Sequence, residues 1–117
     1  IATATGSTAY SLSLGGAILS PSISNMIMKP IAAHTSLMGG LVIEKDVVIS
    51  LKASSNEDLS ISVDGFIDNK IEDFDQIDVE IDNENKAFFL RSENFENLYW
   101  TSLAQKLDLR KGDSISG

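Results

Sequence analysis

Three stretches in the middle of this chain alternate apolar and polar residues with a period of two. That alternation limits the folds open to it more than any other feature. In "DVVISLKAS", Val47, Ile49, Leu51 and Ala53 fall on one face, with Ser50 and Lys52 on the other. "LSISVDG" sets Leu59, Ile61 and Val63 against Ser60, Ser62 and Asp64, and "QIDVEIDN" sets Ile77, Val79 and Ile81 against Asp78, Glu80 and Asp82. A strand turns successive side chains to opposite faces, so this is the pattern of half-buried strands in an antiparallel sheet. Turn-forming residues lie between them: "SSNED" at 54–58, "DG" at 64–65 and "DNENK" at 82–86. "KAFFLRS" reads as a further strand. Strands are therefore expected near residues 25–31, 47–53, 59–64, 77–82 and 87–91, and the fold class is mainly β, an antiparallel β-sandwich or meander.

Two segments have helical character. Over 95–107, "FENLYWTSLAQKL" places Phe95, Leu98, Tyr99, Leu103 and Leu107 at helical spacing, and its aromatics suit packing better than ligand binding. Lys106, Arg110 and Lys111 complement the negative pole of such a helix, and Gly112 offers a stop. The second segment is short, beginning near Ser7. It follows Gly6, has Ser7 and Thr8 as candidate N-caps, and meets Gly15-Gly16 at its end.

Composition bounds the function classes. With 117 residues, the chain is expected to form one domain over 1–117. A net charge of −8 argues against a sequence-independent nucleic-acid binder, which needs a basic face. No apolar run approaches the roughly 20 residues of a membrane span, so no membrane partner is expected. The absence of cysteine rules out a disulfide scaffold or thiolate metal site and agrees with a reducing cytoplasm. Residues 1–43 contain one lysine and no acidic residue, whereas most carboxylates lie between Glu44 and Glu96. Those acids occupy turns and outward strand positions, a solvated face whose spacing matches no calcium loop. The chain opens at Ile1 in mid-pattern, as part of a longer protein would.

The uncharged opening stretch, "TATGSTAYSLSLGGAILSPS" from Thr3 to Ser22, asks for a separate explanation. Gly6 lets backbone approach a ligand or adopt positive φ. A helix start offers unpaired N–H groups, and Thr5, Ser7 and Thr8 add neutral hydroxyls suited to phosphate or ribose oxygens. Tyr10 can stack or donate a hydrogen bond. The same residues equally suit a capped helix packing through Ala9, Leu12 and Leu14, and physical chemistry alone leaves both roles open. His34, the one histidine, suits a packed or surface position and cannot make a zinc site by itself. No Ser–His–Asp arrangement can be assembled, so a catalytic base, if there is one, lies outside this chain.

The opening stretch closely resembles the T-P-T-G-S-T-A-Y-S-L-S-A-G-G-P segment of NAD kinases, which phosphorylate the adenosine-ribose 2′-hydroxyl of NAD. "KPIAAH" is similar to that family's T-P-I-(A/C)-P-H element, and "SVDG" to its D-G-Q turn. The chain departs from the pattern at Ala4, Ala17 and Ala33, where the family has proline, at Leu14 for alanine and at Phe66 for glutamine. "SLMGG" lacks the arginine usual after the histidine. No G-G-D-G motif is present. The resemblance is thus to the carboxy-terminal β-rich domain of a two-domain kinase, whose upstream α/β domain supplies the catalytic aspartate.

Residue by residue, the resemblance implies that Thr8, Ala9, Tyr10 and Ser13 contact NAD, with Gly6 and Ser7 shaping the turn of the same binding segment. The backbone of Ala32 would approach the nicotinamide side, from this subunit or the other of a pair. It implies ATP or polyphosphate as phosphoryl donor, a divalent metal (Mg2+ or Mn2+) with ATP, the protein's own amino-terminal α/β domain as partner, and a homo-oligomer in the cytoplasm. Two alternatives stay open: a related lipid kinase of the diacylglycerol or sphingosine type, and a non-catalytic β-sandwich binding module. The "GSTAYSLSLGG" match favours NAD, because a lipid kinase would want an apolar cleft there.

Overall fold

The computed structural model describes residues 1–34, 39–88, 90 and 93–108. In chain order the elements are β1 (Ala2–Thr3), a 3-10 turn (Thr5–Thr8), α1 (Tyr10–Ser13), β2 (Met26–Met28), β3 (Leu41–Ile43), β4 (Ile49–Lys52), β5 (Leu59–Val63), β6 (Phe66–Ile71), β7 (Gln76–Val79) and α2 (Phe95–Lys106). The chain divides into two compact units, Ile1–Asn83 and Glu84–Gly117. Among the described residues all strands lie in the first unit and pair antiparallel, in three sheets ordered β1-β2-β3, β4-β7 and β5-β6. The fold is mainly β, as the period-two alternation requires.

β2 is the centre of the first sheet and is covered on both faces. Ile27 is 1% exposed and packs with Ala4, Leu19 and Ala2, while Met26, on the opposite face, is 2% exposed. The register sets Ala2 and Val42 either side of Ile27, and Thr3 and Ile43 either side of Met26. A central strand forms its ladder on both edges, so β1 and β3 exist although their own sequences are too short to announce them. The expectation of a strand over 25–31 is met by three residues; β1 and β3 had no sequence signal.

The alternating stretches form strands where predicted, but shorter. Ile49 pairs with Val79, and the ladder runs to Lys52 opposite Gln76, with the apolar and polar faces in the expected sets. Continuing two residues further would set Ile81 opposite Val47. The Val47 amide is already committed to a turn, donating to the Glu44 carbonyl at 3.2 Å. The strands expected over 47–53 and 77–82 therefore stop where their partners turn away. The stretch 87–91 fares worse: residues 87, 88 and 90 are not in a strand, with Phe88 and Leu90 exposed, and Phe89 and Arg91 lie outside the described residues. Apolar character alone makes no strand without a neighbouring backbone to pair with.

β5 and β6 make a hairpin inserted between β4 and β7. Val63 pairs with Phe66 across a two-residue turn in which Asp64 (φ 51) and Gly65 (φ 84) are both left-handed. That is the type I′ geometry which the "DG" pair favours, because its twist matches that of the strands. A bulge between Ile61 and Ser62 gives β6 one extra residue at that point.

In the second unit α2 covers Phe95–Lys106, one residue short of the expected end. Leu103 is buried, Tyr99 and Leu107 are half-buried, and Leu98 and Trp100 are exposed. The Tyr99 and Trp100 rings meet edge to face at 5.1 Å between centroids. The helix stops before Gly112, which lies outside the described residues. Asp108 (φ 53) takes the left-handed position instead, its amide donating to the Gln105 carbonyl at 3.1 Å; short polar side chains tolerate that conformation.

Replacing Ile27 by alanine should lower the unfolding free energy by about 2–5 kcal/mol, since a large buried side chain leaves a cavity. Val42→Thr, opposite Ile27 in the register yet exposed, should change it by no more than about 0.5 kcal/mol. Urea unfolding of the two variants side by side measures both.

Candidate functional site

The opening stretch folds as two single turns of helix joined at a kink. The 3-10 turn over Thr5–Thr8 closes on the Ser7 amide, which donates to the Ala4 carbonyl at 3.2 Å, and on the Ala9 amide, which donates to the Gly6 carbonyl at 3.1 Å. Ala9 (φ −98, ψ −127) leaves helical space, and α1 follows for four residues. Helices this short carry little dipole, so the expected anion-binding helix start is not a feature of this site. Ser7 and Thr8 are not N-caps either; Ala4 and Ala9 hold those positions, without side-chain capping bonds. The hydroxyls point backward, Ser7 to the Ala4 carbonyl at 2.6 Å and Thr8 to the Thr5 carbonyl at 3.3 Å.

The two glycines after α1 are required for different reasons. Gly15 (φ 76) takes the left-handed position, its amide donating to the Leu12 carbonyl at 2.9 Å, while the Gly16 amide reaches the Ser11 carbonyl at 2.9 Å. This pair of bonds is the Schellman arrangement that closes a helix. Gly16 is needed for space. A Cβ there would lie 2.5 Å from Ser11 Oγ and 2.7 Å from the Ser11 carbonyl oxygen. Gly6, by contrast, is not among the positive-φ glycines, and its amide donates to Thr3 Oγ1 at 3.2 Å.

This scaffold sorts the side chains sharply. Ser7 is 0% exposed and Ser11 8%, whereas Ala9, Tyr10 and Ser13 are exposed and Thr8 is half-buried. Tyr10 is 65% exposed, so it is not a core residue of this chain, and packing through Ala9 is likewise contradicted. Ser7 is enclosed and offers no surface to a ligand; Thr8, Ala9, Tyr10 and Ser13 do. Ala32 lies apart, exposed on the connection from β2 to β3, with a left-handed φ of 51 that is unusual for alanine. Ala4, where the related pattern has proline, has φ −54, within the range proline would impose. His34 is exposed.

The acidic surface is built differently. The carboxyl of Asp78 is held below its ordinary value, first by the Ser50 hydroxyl on the facing strand, then by the Gln76 amide at 3.0 and 3.2 Å, with Lys52 adding a smaller pull. Asp58 and Lys70 form an exposed ion pair at 3.1 Å. Among the described residues no three His, Asp or Glu side chains come together as a metal site. None of their helices is long and apolar enough to cross a membrane.

Sequence comparison matches residues 1–91 to the ATP-NAD kinase C-terminal domain. The chain is 39% identical over 108 residues to an NAD kinase of Caldanaerobacter subterraneus subsp. tengcongensis, covering 91% of this chain and 38% of that protein. It is 33% identical over 117 residues to an NAD kinase of Dehalococcoides mccartyi, covering 99% of this chain and 39% of the relative. Over 65 residues it is 40% identical to an NAD kinase of Chloroflexus aurantiacus, which covers 56% of this chain and 24% of the relative. The chain thus spans well under half the length of these relatives. No solved structure matches it.

Leu19 and Ser11 were not legible as contributors, because Leu19 reaches the loop across twelve positions and Ser11 is one serine among many. Ser11 Oγ is buried without a hydrogen-bond partner among the described residues. Removing an unpaired buried hydroxyl costs nothing in lost bonds. Ser11→Ala should therefore leave stability unchanged or raise it by about 1 kcal/mol, while Gly16→Ala should cost about 1–3 kcal/mol through overpacking. Because the carbonyl at 2.7 Å remains, the double variant should recover only part of that loss. Thermal melting of the three proteins decides it.

Proposed function

Because this chain belongs to the ATP-NAD kinase C-terminal domain family, we propose that it is the pocket-bearing part of an enzyme that phosphorylates NAD. A phosphoryl group from ATP or polyphosphate would pass to the 2′-hydroxyl of the adenosine ribose, giving NADP. The observation that carries this reading is the sorting of one loop: Ala9, Tyr10 and Ser13 are exposed and Thr8 is half-buried, while Ser7 and Ser11 are enclosed. Neutral hydroxyls can bond ribose and amide groups without placing negative charge beside phosphates, and Ala9 leaves room for a close approach. The exposed Tyr10 ring is free to stack on a base or ribose.

The rest of the reaction belongs to groups beyond this chain. Phosphoryl transfer depends on positioning and charge stabilisation, with the attacking and leaving oxygens roughly in line. An aspartate on the protein's amino-terminal α/β domain would orient or deprotonate the ribose hydroxyl. Mg2+ or Mn2+ would accompany ATP; no group of three His, Asp or Glu among the described residues is fit to hold it. The left-handed Ala32 is the natural candidate to bring a backbone group to the nicotinamide side, within a homo-oligomer in the cytoplasm.

Two outcomes test the assignment. In the full-length protein, Tyr10→Ala should raise KM for NAD about five- to a hundredfold, the loss of a stacking contact worth roughly 1–3 kcal/mol, with little change in melting temperature because the ring is exposed. A normal KM would remove Tyr10 from the pocket. The purified 117-residue chain, lacking a base, should form no NADP in a coupled enzymatic assay, whereas the full-length protein should.

A further inference from the structure

The Ser7 hydroxyl joins two parts of the chain that local structure does not connect. Its oxygen donates to the Ala4 carbonyl at 2.6 Å and accepts from the Leu19 amide at 2.9 Å, twelve residues away. Ala4 and Leu19 are 6% and 5% exposed, and both pack on Ile27 in the apolar cluster. One hydroxyl, 0% exposed, therefore ties the start and end of the 7–19 segment to the backbone of two core residues. A buried hydroxyl with its donor and an acceptor site both used is costly to replace: an apolar substitute leaves the Leu19 amide without this partner, while the Ala4 carbonyl keeps only the Ser7 amide at 3.2 Å. Between the two ties, Thr8, Ala9, Tyr10 and Ser13 project from two single turns too short to be rigid on their own.

We propose that Ser7 is a positioning residue for dinucleotide recognition: it touches no substrate, and its clamp holds the Thr8–Ser13 face in the geometry that binds. This rests on the NAD-pocket reading above. Without the clamp the loop would have to be ordered at the moment of binding, and that entropy cost appears in affinity and not in chemistry. The effect should fall on KM, leaving the phosphoryl-transfer step alone.

The test uses the full-length protein. Ser7→Ala should raise KM for NAD about three- to tenfold, the size of one net hydrogen bond, with kcat within about twofold of wild type. Ser7→Cys keeps a weak donor and acceptor and should fall between the two. Ile27→Val, which loosens the same cluster without touching the loop's ties, should leave KM unchanged. Hydrogen exchange of the Leu19 amide gives a readout independent of activity: it should be as protected as the Ile27 amide in wild type and lose that protection in Ser7→Ala. A wild-type KM in Ser7→Ala, or an equal rise in Ile27→Val, overturns the positioning role while leaving the pocket standing. A Leu19 amide that exchanges freely in wild type overturns the clamp even if Ser7→Ala fails to fold. A wild-type protein that binds no NAD by calorimetry overturns the pocket reading itself, whatever the exchange data show.

Discussion

The sheet β1-β2-β3 and the loop between β1 and β2 depend on the burial of Ile27. With 1% of its surface exposed, it is one of the two largest fully enclosed side chains among the described residues, the other being Ser7. Around it, Ala2, Ala4 and Leu19 bring β1, the start of the 3-10 turn and the strand of chain leading to β2 into one apolar cluster. Burying such a side chain is worth about 1.5–3 kcal/mol, while the ties that hold the two ends of the opening loop run through Ser7.

Those ties bear on the composition of the opening stretch. A loop lying on so small a cluster has little apolar surface to hold it, so hydrogen bonds do much of the holding. Ser7 bonds Ala4 and Leu19 from an enclosed position, while Thr3 bonds the Gly6 amide and Thr8 bonds Thr5 at the surface. A charged side chain could not take the place of Ser7 without burying charge. The absence of charge thus has a structural cause at Ser7, and a proposed recognition role in Thr8, Tyr10 and Ser13. Burial divides the segment position by position, with Ser7 and Ser11 enclosed and Ala9, Tyr10 and Ser13 exposed.

The departures from the NAD kinase pattern fit the same frame. Ala4 keeps a backbone angle that proline would also take, and its small side chain is enclosed. Phe66 sits beside the Asp64-Gly65 turn with 70% of its surface exposed, so the change from glutamine alters the tip's surface and leaves the turn intact. The glycines at 15 and 16 retain both functions, one by conformation and one by space.

Much of the fold was legible in residues 47–82 because alternation and turn chemistry act over a few residues at a time. Although β6 (Phe66–Ile71) was not among the expected strands, the Asp64-Gly65 pair marks the turn and the 95–107 spacing the helix. The sequence by itself determined those elements, the neutrality of the opening loop and the likeness that names its family. Only the tertiary structure decided where each strand ends, because a ladder stops when its partner turns, as Val47 does opposite Ile81. It also decided that Ser7 faces inward and Tyr10 outward, since nothing local distinguishes one hydroxyl of that loop from another. The difference lies in Leu19, whose amide reaches Ser7 only after the chain has folded back over it.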